Sequence, residues 1–171
     1  VSPRNHFLYT PLLTSTTIGT LEFRAVTEPI RSLNNIKYHQ ARCMNINEKN
    51  NYITVRDSFD KKNYYNIKYD ALIYAVGAKA NDFGISGVQE HCLFLKQVKH
   101  AMLIREKIQE LFERASKPTT TRLEREKLLS IVIVGGGPTS IEFAAELHDW
   151  LMEDGIKMFP ELLDQVSITL V

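Results

Sequence analysis

Cysteine is scarce in this sequence: Cys43 and Cys92 are the only two, and they do not form a Cys-x-x-Cys pair. A vicinal redox disulfide is therefore excluded within this span. The five histidines are scattered, and none combines with a cysteine at zinc-ligand spacing, so no metal is expected. No apolar run is long enough to span a bilayer, and no signal or transit segment is recognisable at the start. An excess of one charge is also missing. Lys and Arg total 21 against 20 Asp and Glu, a net charge of +1, so no long-range field would gather nucleic acid and no such partner is expected. The chain opens at Val1 and stops at Val171 inside an apolar run; both ends read as cut, and the expectation is an internal piece of a longer protein. What is present suits a folded core, since 44% of residues are hydrophobic and 24% charged.

Periodicity divides the chain. Around Arg4 lies a short polar stretch, followed by Phe7, Leu8 and Tyr9 and then Thr10-Pro11-Leu12-Leu13, where Pro11 biases Thr10 towards extended backbone. Residues 20–33 read as a helix that Pro29 would divide into two short pieces. Strand signals at 36–46, 52–55 and 64–69, separated by polar turns, predict a three-strand meander. Residues 71–76, almost wholly apolar and ended by Gly77, predict a strand buried on both faces. After a loop over 79–92, Ala101, Ile104, Ile108, Leu111, Phe112 and Ala115 recur at helical spacing within 96–116. A short helix over 122–129 follows the capping run Thr119-Thr120-Thr121. A strand over 130–134, a helix over 139–153 and a strand over 166–171 complete the reading.

The chemistry concentrates at Gly135-Gly136-Gly137-Pro138-Thr139-Ser140. A Gly-x-Gly-x-x-Gly pattern alone is weak, but here four β-branched residues, Ile131 to Val134, precede it. An apolar-patterned helix follows, with Ile141, Ala144, Ala145, His148 and Leu151 on one expected face. Gly135 permits the tight turn, and Gly137 lets backbone approach a pyrophosphate at the positive end of the helix. Pro138 suits a first helical turn, where its missing N–H is not needed. Ser140 replaces the usual third glycine with another small residue. Glu142 stands in the first turns of the helix, where the dipole favours a carboxylate whatever its role. The acid that would report a preference for NADH over NADPH would fall just past Val171.

The order of these motifs resembles the two-dinucleotide-binding-domain flavoproteins. The residues Ser2-Pro3-Arg4-Asn5-His6-Phe7-Leu8-Tyr9-Thr10-Pro11-Leu12-Leu13, Glu90-His91-Cys92-Leu93-Phe94-Leu95-Lys96 and Gly135 through Leu147 narrow the resemblance to type II (alternative) NADH:quinone oxidoreductases. Ser140, and Ser86 where that family usually has proline, depart from its pattern. The resemblance implies an α/β, FAD/NAD(P)-binding Rossmann-like fold with two nested dinucleotide-binding domains, both incomplete here, and a β-meander. Residues 1–95 would belong to the FAD-binding domain, 96–129 to a helical connection, and 130–171 to the start of the NADH-binding domain.

It further implies Arg4 near the FAD adenosine and Ala41 and Arg42 at the adenine through backbone groups. Thr10, Pro11 and Leu12 would lie near the flavin, and Ala75, Val76 and Gly77 along its ribityl–phosphate side. Gly135, Gly137, Pro138, Thr139 and Ser140 would hold the NADH pyrophosphate, with Glu142 as the catalytic carboxylate at the nicotinamide end. The implied activity is transfer of hydride from NADH to FAD and of electrons to a membrane quinone, without proton pumping. The implied setting is a homodimer held peripherally at the mitochondrial inner membrane through regions absent here, with the fragment alone inactive. Two alternatives from the residues stay open: a soluble FAD-dependent NAD(P)H reductase of a redox protein, and a non-catalytic NADH-binding module.

Overall fold

A computed structural model describes all residues from Val1 to Val171. Two units are distinguished: Val1–Leu8 with Thr27–Lys79, and Tyr9–Val26 with Ala80–Val171.

In the first unit, β1 (His6–Leu8) pairs antiparallel with β2 (Thr27–Pro29). The meander is β3 (Ala41–Asn47), β4 (Tyr52–Asp57) and β5 (Tyr64–Lys68), all antiparallel. Ala41, Ile53 and Val55 form its buried apolar cluster, and Met44 is the extra residue of a bulge between Cys43 and Asn45. The expected strand over 36–46 starts five residues late. Its partner β4 ends at Asp57 opposite Ala41, so residues 36–40 have no ladder to join. The turn after β4 is organised by Asp57, whose Oδ1 accepts from the amides of Phe59 at 2.7 Å and Asp60 at 2.9 Å. The apolar run at 71–76 forms no strand and is largely exposed; a doubly buried strand needs ladder partners on both sides, and none of the seven strands pairs with it. Residues 20–33 likewise hold no single helix, but short 3-10 turns at Phe23–Val26 and Ile30–Ser32 on either side of β2.

The second unit is built on helix packing. It contains α1 (Leu13–Ile18), α2 (Val88–His91), α3 (Val98–Ala115), α4 (Arg122–Leu128), β6 (Ser130–Ile133), α5 (Pro138–Trp150), α6 (Ile156–Met158) and β7 (Ser167–Leu170). Five of the six residues of the predicted α3 stripe form its buried face, Ala101, Ile104, Ile108, Phe112 and Ala115, while Leu111 is half-buried. Phe112 is fully buried, edge-on to Trp150 at 5.4 Å and tilted against Phe159 at 5.3 Å. On α5 the buried stripe is Phe143, Leu147 and, just beyond its end, Leu151. The expected face holds at Leu151 and half-buried Ala144 and is corrected at Ile141, Ala145 and His148, which are exposed, because the i, i+4, i+8 row through Phe143 and Leu147 is the one that reaches the Phe112 core. Helix α4 opens with a reciprocal capping box between Thr121 and Glu124. The Thr121 amide is the foremost cause holding the Glu124 carboxyl below its ordinary range. The Glu124 half of the box is thus at full strength at neutral pH and weakens as pH falls through the lowered Glu124 pKa, while the Glu124 amide bond to Thr121 Oγ1 does not titrate.

Strands β6 and β7 are parallel, with Ile133 opposite Leu170, and α5 is the crossover between them. The order is the βαβ unit that the glycine pattern predicts. Phe112→Ala is expected to lower the unfolding free energy of the second unit by about 3–5 kcal/mol. Denaturant unfolding of the full-length protein checks this; a loss no greater than that of an exposed α3 substitution such as Met102→Ala would contradict the placement of the core.

Candidate functional site

The glycine turn starts while the parallel ladder is still in force. The Gly135 amide donates to the Val171 carbonyl at 2.7 Å, and Val171 N–H to the Ile133 carbonyl at 3.0 Å. Gly135 then takes φ +108°, a conformation that side chains with a Cβ rarely adopt. Gly137 is different. Its φ of −81° is open to any residue, and a Cβ built on it would meet nothing within 4 Å. The requirement for glycine there is not internal, and the free space is what a ligand's phosphates need. Gly137 N-caps α5, its carbonyl accepting from the amides of Ser140 and Ile141, with Pro138 in the first turn. The amides of Gly136, Gly137 and Thr139 donate to no backbone carbonyl. They remain at the positive end of a 13-residue helix, an arrangement suited to an anion. Ser140 Oγ lies 3.6 Å from where a Gly135 Cβ would be, so the small residue at this third position packs against the turn.

Glu142 is exposed one helical turn further along α5. Glu146, on the same face, is engaged: Oε1 accepts from Ser15 Oγ at 2.6 Å and Oε2 from Thr20 Oγ1 at 3.2 Å. Both hydroxyls belong to the stretch around α1, a helix absent from the sequence reading. Leu13 through Thr17 are all buried. Thr16 and Thr17 hydroxyls donate back to the Leu13 carbonyl at 2.8 and 2.7 Å. At the other end of α1 the Arg105 guanidinium donates to the Thr16 and Thr17 carbonyls and lies 4.6 Å from the centre of the Phe23 ring. Pro11 near the start and Gly19 at φ +104° after the end are the signals that could have revealed this helix. Thr10, Pro11 and Leu12 form an exposed 3-10 turn running directly into it, so Pro11 opens a helical segment and does not extend the chain.

In the first unit, the Ala41 amide donates to the Ser2 carbonyl at 3.2 Å, and Tyr38 Oη lies 3.0 Å from the Arg4 carbonyl. The Arg4 segment and the start of β3 are thereby joined. Ala41 is fully buried, whereas Arg4 and Arg42 are exposed. Ala75, Val76 and Gly77 are exposed outside any regular element, Gly77 at φ +71°. No group of three or more His, Cys, Asp or Glu side chains is arranged to hold a metal, and both cysteines are free.

A parallel βαβ unit with a glycine turn and free amides at the helix start is the arrangement of the dinucleotide-binding class of folds. The family model "Pyridine nucleotide-disulphide oxidoreductase" matches residues 1–167, and the chain belongs to that family. It is 50% identical, over its whole length, to a "Probable NADH dehydrogenase" of Dictyostelium discoideum, covering 39% of that protein. It is 47% identical to the "External alternative NAD(P)H-ubiquinone oxidoreductase B4, mitochondrial" of Arabidopsis thaliana, covering all of this chain and 31% of that one. Among solved structures it matches NDH2 from Plasmodium falciparum in complex with NADH, with TM-score 0.91 and 35% identity over 99% of this chain and 35% of that one. The chain thus spans about a third of the length of these relatives.

The two glycines separate in a mutational test. Gly135→Ala is expected to destabilise the turn itself through its positive φ. Gly137→Val is expected to cost no more than the N-cap preference for glycine, about 1 kcal/mol, in thermal unfolding of the full-length protein while abolishing NADH binding in a fluorescence titration. Wild-type NADH affinity in Gly137→Val would place the dinucleotide elsewhere.

Proposed function

We propose that the longer protein containing this chain is a type II NADH:quinone oxidoreductase that is FAD-dependent and does not pump protons. The observation that carries this reading is the space before Gly137, with three free amides at the α5 N-terminus, in a chain half identical to a probable NADH dehydrogenase. These residues fit a dinucleotide pyrophosphate: the turn offers N–H donors, a helix dipole and no Cβ in the way. Gly135, Gly137, Pro138, Thr139 and Ser140 would hold NADH there, and Glu142 would stand at the nicotinamide end as the catalytic carboxylate. FAD, when bound, supplies an acceptor for hydride and a donor of electrons to quinone. Thr10, Pro11 and Leu12, an exposed turn, would lie near the flavin. Arg4, Ala41 and Arg42 would serve the adenosine end, the last two through backbone groups. The exposed Ala75-Val76-Gly77 segment would follow the ribityl–phosphate side. The corresponding domain reading assigns 1–95 to the FAD-binding domain, 96–129 to a connection and 130–171 to the start of the NADH-binding domain.

The setting we propose is the mitochondrial inner membrane, as the word "mitochondrial" in the names of the plant relatives supports. No helix of this chain is long and apolar enough to cross a membrane, so attachment would be peripheral and made by regions outside it, in a homodimer. Anaerobic addition of NADH to the purified full-length protein is expected to bleach the flavin absorbance, and a quinone analogue to restore it. Absence of bleaching would leave a nucleotide-binding module without turnover. Bleaching reversed only by a redox protein, and not by the quinone, would make it a soluble reductase.

A further inference from the structure

We infer that Glu146 is a positioning residue that sets the distance between the flavin-side turn Thr10–Leu12 and the glycine-turn end of α5. The inference rests on the reading of those two segments given under Proposed function. Its basis is the way α1 is held. A helix of six residues does not sustain itself in water, and α1 carries buried hydroxyls along most of its length. Its attachments to neighbouring elements fix where it lies. Arg105 of α3 takes the carbonyls at its C-terminal end, which secures α1 to the core helix. Glu146 takes Ser15 within α1 and Thr20 just after Gly19, which secures it to α5.

The chemistry of the group suits that task. Both partners are hydroxyl donors, and a carboxylate offers two acceptor oxygens and no donor. The 2.6 Å distance to Ser15 is that of a charge-assisted bond. No Lys, Arg or His comes within ion-pair distance of Glu146, so its oxygens are committed to these hydroxyls. Thr10–Leu12 has no side-chain cap of its own and continues without a break into Leu13. A displacement of α1 along α5 is therefore passed directly to that turn. Glu142 and the free amides lie on α5 itself, so the same displacement changes the separation of the two segments. Errors of about 1 Å in such placements slow reactions by up to about 100-fold.

The test uses the full-length flavoprotein as wild type, Glu146→Ala, Glu146→Gln and the pair Ser15→Ala/Thr20→Ala. Five quantities are read: FAD content, NADH affinity, hydrogen–deuterium exchange of residues 10–20, the visible spectrum of the bound flavin, and the anaerobic rate of flavin reduction per bound FAD. Glu146→Ala is expected to keep its FAD and its NADH affinity, to exchange faster over 10–20, to shift the flavin spectrum, and to reduce its flavin about 10- to 100-fold more slowly. Glu146→Gln, which keeps one acceptor for Ser15, is expected to recover much of the rate. Wild-type exchange and per-flavin rate in Glu146→Ala would overturn the inference, as would a Gln variant no better than Ala. Should Glu146→Ala fail to fold, the Ser15→Ala/Thr20→Ala pair removes the same bonds from the other side, and wild-type behaviour there overturns it equally. If NADH fails to reduce the wild-type flavin, the functional reading falls; exchange and the flavin spectrum still report whether Glu146 holds α1.

Discussion

Satisfying the polar groups of a buried, hydroxyl-rich helix is the constraint on which the second unit turns. Helix α1 has Leu13 and partly buried Ile18 at its ends and four hydroxyl residues between them. Such a segment gives little apolar burial per residue and would leave donors and acceptors stranded if it were packed carelessly. The structure resolves this in three ways. Two threonines turn their hydroxyls back onto Leu13 O. An arginine completes the last carbonyls, where a cation also suits the helix dipole. A carboxylate accepts from Ser15 within the helix and from Thr20 just beyond it. The apolar cluster around Phe112 provides the rigid wall against which these polar contacts are made.

The glycine turn shows two reasons for one residue type. At Gly135 the chain itself demands it, because the strand must reverse into the helix within a residue of its last ladder bond and does so at positive φ. At Gly137 the backbone is ordinary and the surroundings are open, so nothing within the chain demands glycine. A sequence pattern cannot make that distinction. Geometry does, and within three consecutive residues it separates a glycine the fold requires from one it does not.

Long periodic segments were legible from the residues. The meander, the α3 stripe, the capping run before α4 and the strand–turn–helix at 130–150 all follow local pattern, and the family resemblance rested on the same motifs. The failures share a cause in contacts made far along the chain. Residues 71–76 look like a buried strand, but pairing is not a local property and no strand lies beside them. Helix α1 is too polar to be read as a core element, since its stability comes from Arg105 and Glu146, about 90 and 130 positions away in sequence. On α5, Ile141 and His148 fit a helical period as well as Phe143 and Leu147 do, and only the position of Phe112 decides which face is buried.

The two glutamates of α5 illustrate how far identity and periodicity can go. Glu142 and Glu146 are chemically the same and lie four residues apart, on one helix face. The nearer to the glycine turn is exposed, with nothing bound to it in this chain. The further has both oxygens engaged by hydroxyls from a neighbouring helix. A carboxylate that must meet a substrate has to keep its lone pairs available, and one that must hold an element in place has to use them. One turn of helix is enough to make that difference, because it moves the side chain from the open end of α5 to the level at which α1 packs against it.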